Sequence, residues 1–206
     1  MPENRRILIL AYGNPGRRDD GLGPALAAAL EDQHLPGVTI DTDYQLTVEH
    51  AADVAAHDVV IFVDAACTDP EPFAFTRIDV PADAVADPRV GRQPNTAGEP
   101  RAGRGASAVG FSTHSVSPAG VLALARDLFG RAPAAYVLGI RGHEFDDFGE
   151  DLSPRAQANL AAALDFLRPA LRARRFDEVT RTRSGVCPAV AAPSPAAVAP
   201  FQEDPA

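Results

Sequence analysis

Three places in the chain hold residue types that could do chemistry together. The first is the acidic pair Asp19 and Asp20 in RRILILAYGNPGRRDDGLGPALAAAL, the second is Asp64 in VVIFVDAA, and the third is His114 in FSTHSVSPAG. Two carboxylates and one imidazole form a borderline donor set that accepts a first-row divalent metal such as zinc or nickel and leaves coordination positions open. Open positions suit reaction or transfer better than a purely structural site. The acidic pair also has a plainer reading. An aspartate at a helix start accepts a backbone N–H and favours the positive end of the helix dipole, contributing about 1 kcal/mol. Capping accounts for one carboxylate; a second beside it adds like-charge repulsion and invites metal binding or acid–base work. On the residues alone both readings stay open.

For the three places to meet, the elements around them must bring them to one edge of a sheet. Ile7 to Tyr12 is a continuous apolar run, the pattern of a strand buried on both faces, and Gly13, Asn14, Pro15 and Gly16 stop it before the helix-forming run Ala25 to Leu30. Val38 to Tyr44 alternates as a strand does, and Thr47 to Ala56 reads as a helix with Thr47 as its N-cap. Val59 to Ala66 is a second buried parallel strand with Asp64 near its carboxyl end, and Phe73 to Val80 is an alternating strand nearer an edge. Ser117 and Pro118 form an N-cap and N1 pair for a helix over Ala119 to Phe129, so His114 falls in the turn that leads into it. Ala134 to Ile140 reads as the last strand, Arg141 to Gly149 as a polar loop, and Ser153 to Leu171 as an amphipathic helix with Pro169 close to its end. The βαβ alternation predicts an α/β protein: a three-layer α/β/α sandwich with a mainly parallel sheet of about five strands, phosphorylase/hydrolase-like in architecture. Ligands of such sheets bind at the carboxyl ends of the strands, where Asp20, Asp64 and His114 are expected.

Residues 1–171 are expected to form this domain, with a mobile insertion at about 81–108 of Pro, Gly, Ala, Arg and Asp without period. The Pro/Ala-rich stretch 172–206 reads as a disordered tail. A net charge of −9 and a pI near 4.9 argue against nucleic acid as a partner, since phosphate binding draws on clustered Lys and Arg. No run approaches the roughly 20 apolar residues that span a bilayer, and MPENRR leads into no signal-type cleavage region, so no membrane is expected. Cys67 and Cys187 form no CxxC pair, and a reducing cytoplasmic location is the default expectation. Cys67, at the end of an apolar strand, reads as packed rather than nucleophilic. Ser112 and Ser115 beside His114 are weak grounds for a triad. His143, Glu144, Asp146 and Asp147 read as a solvated loop with a contribution to substrate binding left open, and His34, His50 and His57 as surface residues.

The ordered blocks ILILAYGNPGRRDDGLG, VVIFVDA, FSTHSVSP and VLGIRGHEFDDFGEDLSP resemble those of the hydrogenase maturation protease family, over roughly Arg6 to Leu167. The ordered set is far more specific than any one block. The resemblance implies an α/β/α hydrolase, of the kind described as having aspartic-type endopeptidase activity. It would remove the C-terminal extension of a nickel–iron hydrogenase large-subunit precursor after nickel insertion. It also implies that Asp20, Asp64 and His114 are the catalytic, metal-binding residues, with Asp19 as a cap or support. The metal they meet would be the substrate's nickel, for which zinc or cadmium could stand in, and no organic cofactor is implied. Many relatives carry a Gly-rich segment after the second strand where this chain has Asp41, Thr42, Asp43, Tyr44 and Gln45, which bears on substrate choice.

Two other readings compete. Peptidyl-tRNA hydrolase shares the GNPG turn and a related fold, but its usual continuation is replaced here by Arg17, Arg18, Asp19 and Asp20, and an acidic rim repels tRNA. A non-catalytic metal-binding docking module would show the same three residues without cleavage.

Overall fold

The computed structural model describes residues 5–33, 35–80 and 116–177. His114, the expected insertion at 81–108 and residues 178–206 lie outside them, as does His34. Five strands, β1 (Ile7–Tyr12), β2 (Val38–Asp43), β3 (Val59–Ala66), β4 (Phe73–Ile78) and β5 (Ala134–Arg141), form one sheet in the order β2-β1-β3-β5-β4. All pairings are parallel except β4 with β5, so the expected mainly parallel five-stranded sheet is the observed one.

Side-chain alternation divides the core into two layers. Ile7, Ile9, Ile61, Val63, Leu138 and Ile140 point to the side covered by α1 (Leu22–Glu31) and α4 (Pro154–Ala173). Leu8, Leu10, Val60, Phe62, Ala135 and Val137 point to the side covered by α2 (His50–Ala56) and α3 (Pro118–Phe129). Because β1 and β3 serve both layers, their sequences are apolar at successive positions, which is why the two runs could be recognised as central strands.

Two local expectations changed. Thr47 does not cap α2; the helix begins at His50, whose Nδ1 accepts the Thr47 backbone N–H at 2.9 Å. His50 is therefore buried, at 6% exposure, and not a surface residue. α4 runs through Ala173 with Pro169 close to its end, as expected; Leu167, Ala170 and Leu171 are all buried, and their packing outweighs the one backbone bond that proline removes. Phe176 then packs into the same layer, and Asp177 accepts the Tyr136 hydroxyl at 2.6 Å.

The strand order places the topological switch point between β1 and β3: the chain leaves β1 toward β2 on one side and returns to β3 on the other. Crevices at such points, beyond the carboxyl ends of the strands, are where ligands enter open α/β sheets. Asp20 follows β1 and Asp64 lies near the carboxyl end of β3, so the two flank this crevice.

Candidate active site

The turn after β1 is shaped by close backbone approaches. Gly13 has φ +139°, and a Cβ there would lie 2.1 Å from the Asp20 carbonyl oxygen, so only glycine fits. Asn14 accepts the Gly16 N–H on its side chain at 2.9 Å and donates its own N–H to Asp20 Oδ2 at 3.2 Å. A short 3-10 turn, Arg18–Gly21, follows. Arg18 takes a left-handed φ of 50°, held by a 2.7 Å bond from its N–H to the Gly149 carbonyl. Gly23 then lets α1 start directly against the sheet: a Cβ would lie 2.4 Å from the Tyr12 carbonyl oxygen. The glycines of GNPGRRDDGLG thus bring the acidic pair down onto the rim.

The two aspartates of the pair have different surroundings. Asp19 is 0% exposed and accepts four hydrogen bonds, from the backbone N–H groups of His143 (2.7 Å), Glu144 (2.9 Å) and Ser153 (2.7 Å) and from the Ser153 hydroxyl (2.7 Å). Burial pushes its carboxyl up, but these donors more than offset that, and its pKa lies below the ordinary value. Asp19 caps no helix through its own side chain. It binds the first turn to the segment 143–153, which Arg17 also grips through a 2.9 Å bond to the Phe145 carbonyl. The polar loop is consequently tied down along its backbone rather than simply solvated. His143 sits 2.6 Å from the Glu71 carboxylate.

Asp64 is partly buried and has fewer donors. Its Oδ1 accepts the Ala65 N–H at 2.8 Å, and the Tyr12 hydroxyl donates to its carboxylate. Burial raises its pKa to about 7, the two hydrogen bonds counteract this in part, and the negative charges of Asp20 and Asp69 raise it further. The Tyr12 hydroxyl is pushed upward in turn, first by burial and then by Asp64. A carboxyl poised near neutrality beside a second carboxylate can exchange a proton with water or bind a cation at physiological pH. Asp20 and Asp64, two of the three expected site residues, are therefore brought within electrostatic reach of each other.

His114 lies outside the described residues. Val116, two positions on, is buried against the α2–α3 layer, the side of the sheet that carries Tyr12 and Asp64, and its N–H donates to the Leu46 carbonyl at 3.1 Å. Ser117 caps α3 as expected, accepting the Gly120 N–H at 3.1 Å.

Three rim residues were not anticipated. Tyr12 was read as the end of an apolar run, yet it sits beside Asp64 on the neighbouring strand. Asp69 folds back over β5, where a Cβ on Gly139 would lie 2.4 Å from its Oδ2. Arg141 ends β5 and donates from NH1 to the Asp69 carbonyl at 3.3 Å. Only register could have revealed them: Asp64 pairs with Gly139 and Ala66 with Arg141. Cys67 also differs from expectation. It is exposed, not packed, because β3 ends at Ala66. Burial and the nearby Asp64, Asp20 and Asp146 raise its thiol pKa, with Arg141 opposing, which leaves it a poor nucleophile. Among the described residues no group of three or more His, Cys, Asp or Glu is arranged to hold a metal ion. Asp20 and Asp64 supply two oxygen donors of the type that a borderline divalent ion accepts.

No family model and no curated protein matches the chain. Solved structures do. The chain is similar to the hydrogenase maturating endopeptidase HybD from E. coli, at 25% identity and a TM-score of 0.57, over 82% of this chain and 94% of that one. It shares its fold with a nickel–iron hydrogenase maturation protease, HycI, from Thermococcus kodakarensis (20% identity, TM-score 0.54, 82% and 94% covered). The same holds for a hydrogenase 2 maturation peptidase from a Thaumarchaeota archaeon (23%, 0.53, 82% and 99%). Each of these likenesses spans most of both chains, so the α/β fold is common to all of them. The chain thus shares its fold with solved structures named as hydrogenase maturation peptidases.

Proposed function

We propose that this protein is an endopeptidase that removes the C-terminal extension of a nickel–iron hydrogenase large-subunit precursor once nickel has been inserted. The observation that carries the reading is the placement of Asp20 and Asp64 on either side of the β1–β3 switch point, in a chain that matches HybD over most of both lengths. Asp20, Asp64 and His114 are the residues that would meet the precursor's nickel. A metal in the substrate would supply Lewis-acid polarisation of the scissile carbonyl or a bound water. The protein's own part is recognition and proton handling. Asp64, with a pKa of about 7, can accept a proton from the attacking water and return it to the leaving amine. The acidic rim also matches a cationic centre in the substrate, so metal insertion would license docking. No helix among the described residues is long and apolar enough to cross a membrane, which fits a precursor met in solution.

The test is incubation of the protein with nickel-loaded and nickel-free precursor, followed by intact mass measurement. A shortened product from the loaded form alone is expected. Intact precursor, where a known relative cuts its own substrate under the same conditions, would overturn the reading.

A further inference from the structure

On β5 the residues Ala135 and Val137 pack into the α2–α3 layer, and alternation puts Gly139 and Arg141 on the same face. The register sets Gly139 beside Asp64 and Arg141 beside Ala66, one pleat further toward the rim. Between Arg141 and Asp64 the two strands therefore present only an alanine side chain and a glycine, with the Asp69 carboxylate lying over that glycine. Arg141 and Asp64 both act electrostatically on the Cys67 thiol, which lies at the end of the same strand as Asp64.

The guanidinium is under-used for such a position. Its NH1 makes the long bond to the Asp69 carbonyl, and among the described residues it forms no ion pair with any of the neighbouring carboxylates. Among the described residues its Nε is buried without a hydrogen-bond partner. A buried donor on a permanent cation is costly to leave unpaired, and native proteins keep few of them.

We propose that Arg141 is a catalytic residue whose guanidinium binds the oxygen of the scissile carbonyl and stabilises the negative charge that develops there. The assignment rests on the peptidase reading above. In the addition step the water oxygen bonds to the carbonyl carbon, and the C=O π pair moves onto the oxygen facing Arg141. The water proton passes to a rim carboxylate. On collapse the π bond re-forms, the C–N bond breaks, and the amine leaves with the proton from that carboxylic acid. Arg141 supplies charge and hydrogen-bond donors in both steps and transfers no proton.

Single-turnover cleavage of nickel-loaded precursor by Arg141→Gln, with precursor affinity measured in parallel, tests this. The expected result is a rate lower by about 100-fold or more, the cost of removing one oxyanion donor, at unchanged affinity. Cleavage by Arg141→Ala should be partly restored by added guanidinium ion. Wild-type rates in Arg141→Gln would overturn the assignment and leave the peptidase reading standing, whereas failure of the wild-type protein to cut would overturn both. Parallel loss of affinity and rate, absence of rescue, or a large fall in the thermal midpoint of both variants would each overturn it, since Arg141 would then be a binding or packing residue.

Discussion

Asp19 and Asp64 stand at the same edge of one sheet and are the same chemical group, yet the fold treats them in opposite ways. Asp19 is fully buried with four donors aimed at it, and its pKa is lowered; Asp64 is partly buried with two hydrogen bonds and two neighbouring negative charges, and its pKa is raised to about 7. A buried carboxylate whose acceptor sites are filled is committed to holding structure together. One left short of donors keeps its lone pairs available and its charge uncomfortable, which is what binding a cation or moving a proton requires. The donor count separates them.

The strongest way to break this contrast is Asp19→Ala. It strands three backbone N–H groups and the Ser153 hydroxyl, and a loss of about 3 kcal/mol or more in urea unfolding is expected, since each buried donor left without an acceptor costs about 1–3 kcal/mol. A near-neutral result would mean that the 143–153 segment holds its place without Asp19. Asp64→Asn should do the converse, keeping the fold while lowering precursor cleavage by at least the ~10- to 100-fold that loss of a group supporting a metal costs.

Gly13→Ala should reach both residues at once. It drives a Cβ into the Asp20 carbonyl and strains a positive φ, for an expected cost of about 2 kcal/mol or more in thermal unfolding, with cleavage falling alongside.

The pH dependence of stability sharpens the comparison, because the two signs are opposite. The Asp19 contribution is fully present above the ordinary carboxylate pKa of 3.8 and is lost as pH falls through its lowered value. The Asp64 contribution is present below 3.8 and is lost as pH rises through about 7. Unfolding measured across this range should lose its acid limb in Asp19→Asn, and Asp64→Asn should lose its decline toward neutral pH. The smallest effect is expected from Tyr12→Phe. Without the Tyr12 hydroxyl bond, which lowers the Asp64 pKa, that pKa should move further up, at a cost of about 1 kcal/mol, read from the shift of the neutral-pH limb.

Much of the architecture was legible in the chain. Ile7–Tyr12 and Val59–Ala66 are apolar at successive positions because each strand faces two layers, and the Ser-Pro pairs at 117–118 and 153–154 start α3 and α4 as read. The carboxyl-end placement of Asp20 and Asp64 followed from those strands. His50 and Cys67 were misjudged for local reasons: the His50 ring turns inward to accept the Thr47 N–H, and β3 ends one residue before the thiol.

The sequence by itself determined that Asp20 and Asp64 reach the rim, because strand runs, glycine turns and helix caps act over a few residues. Only the tertiary structure decided what each rim residue does there. The donors that occupy Asp19 come from residues 124 to 134 positions away, and Tyr12 and Arg141 stand near Asp64 only because β1 and β5 flank β3 in register. A carboxylate's role depends on which donors and charges surround it, and those are set by strand order and loop return rather than by its neighbours along the chain.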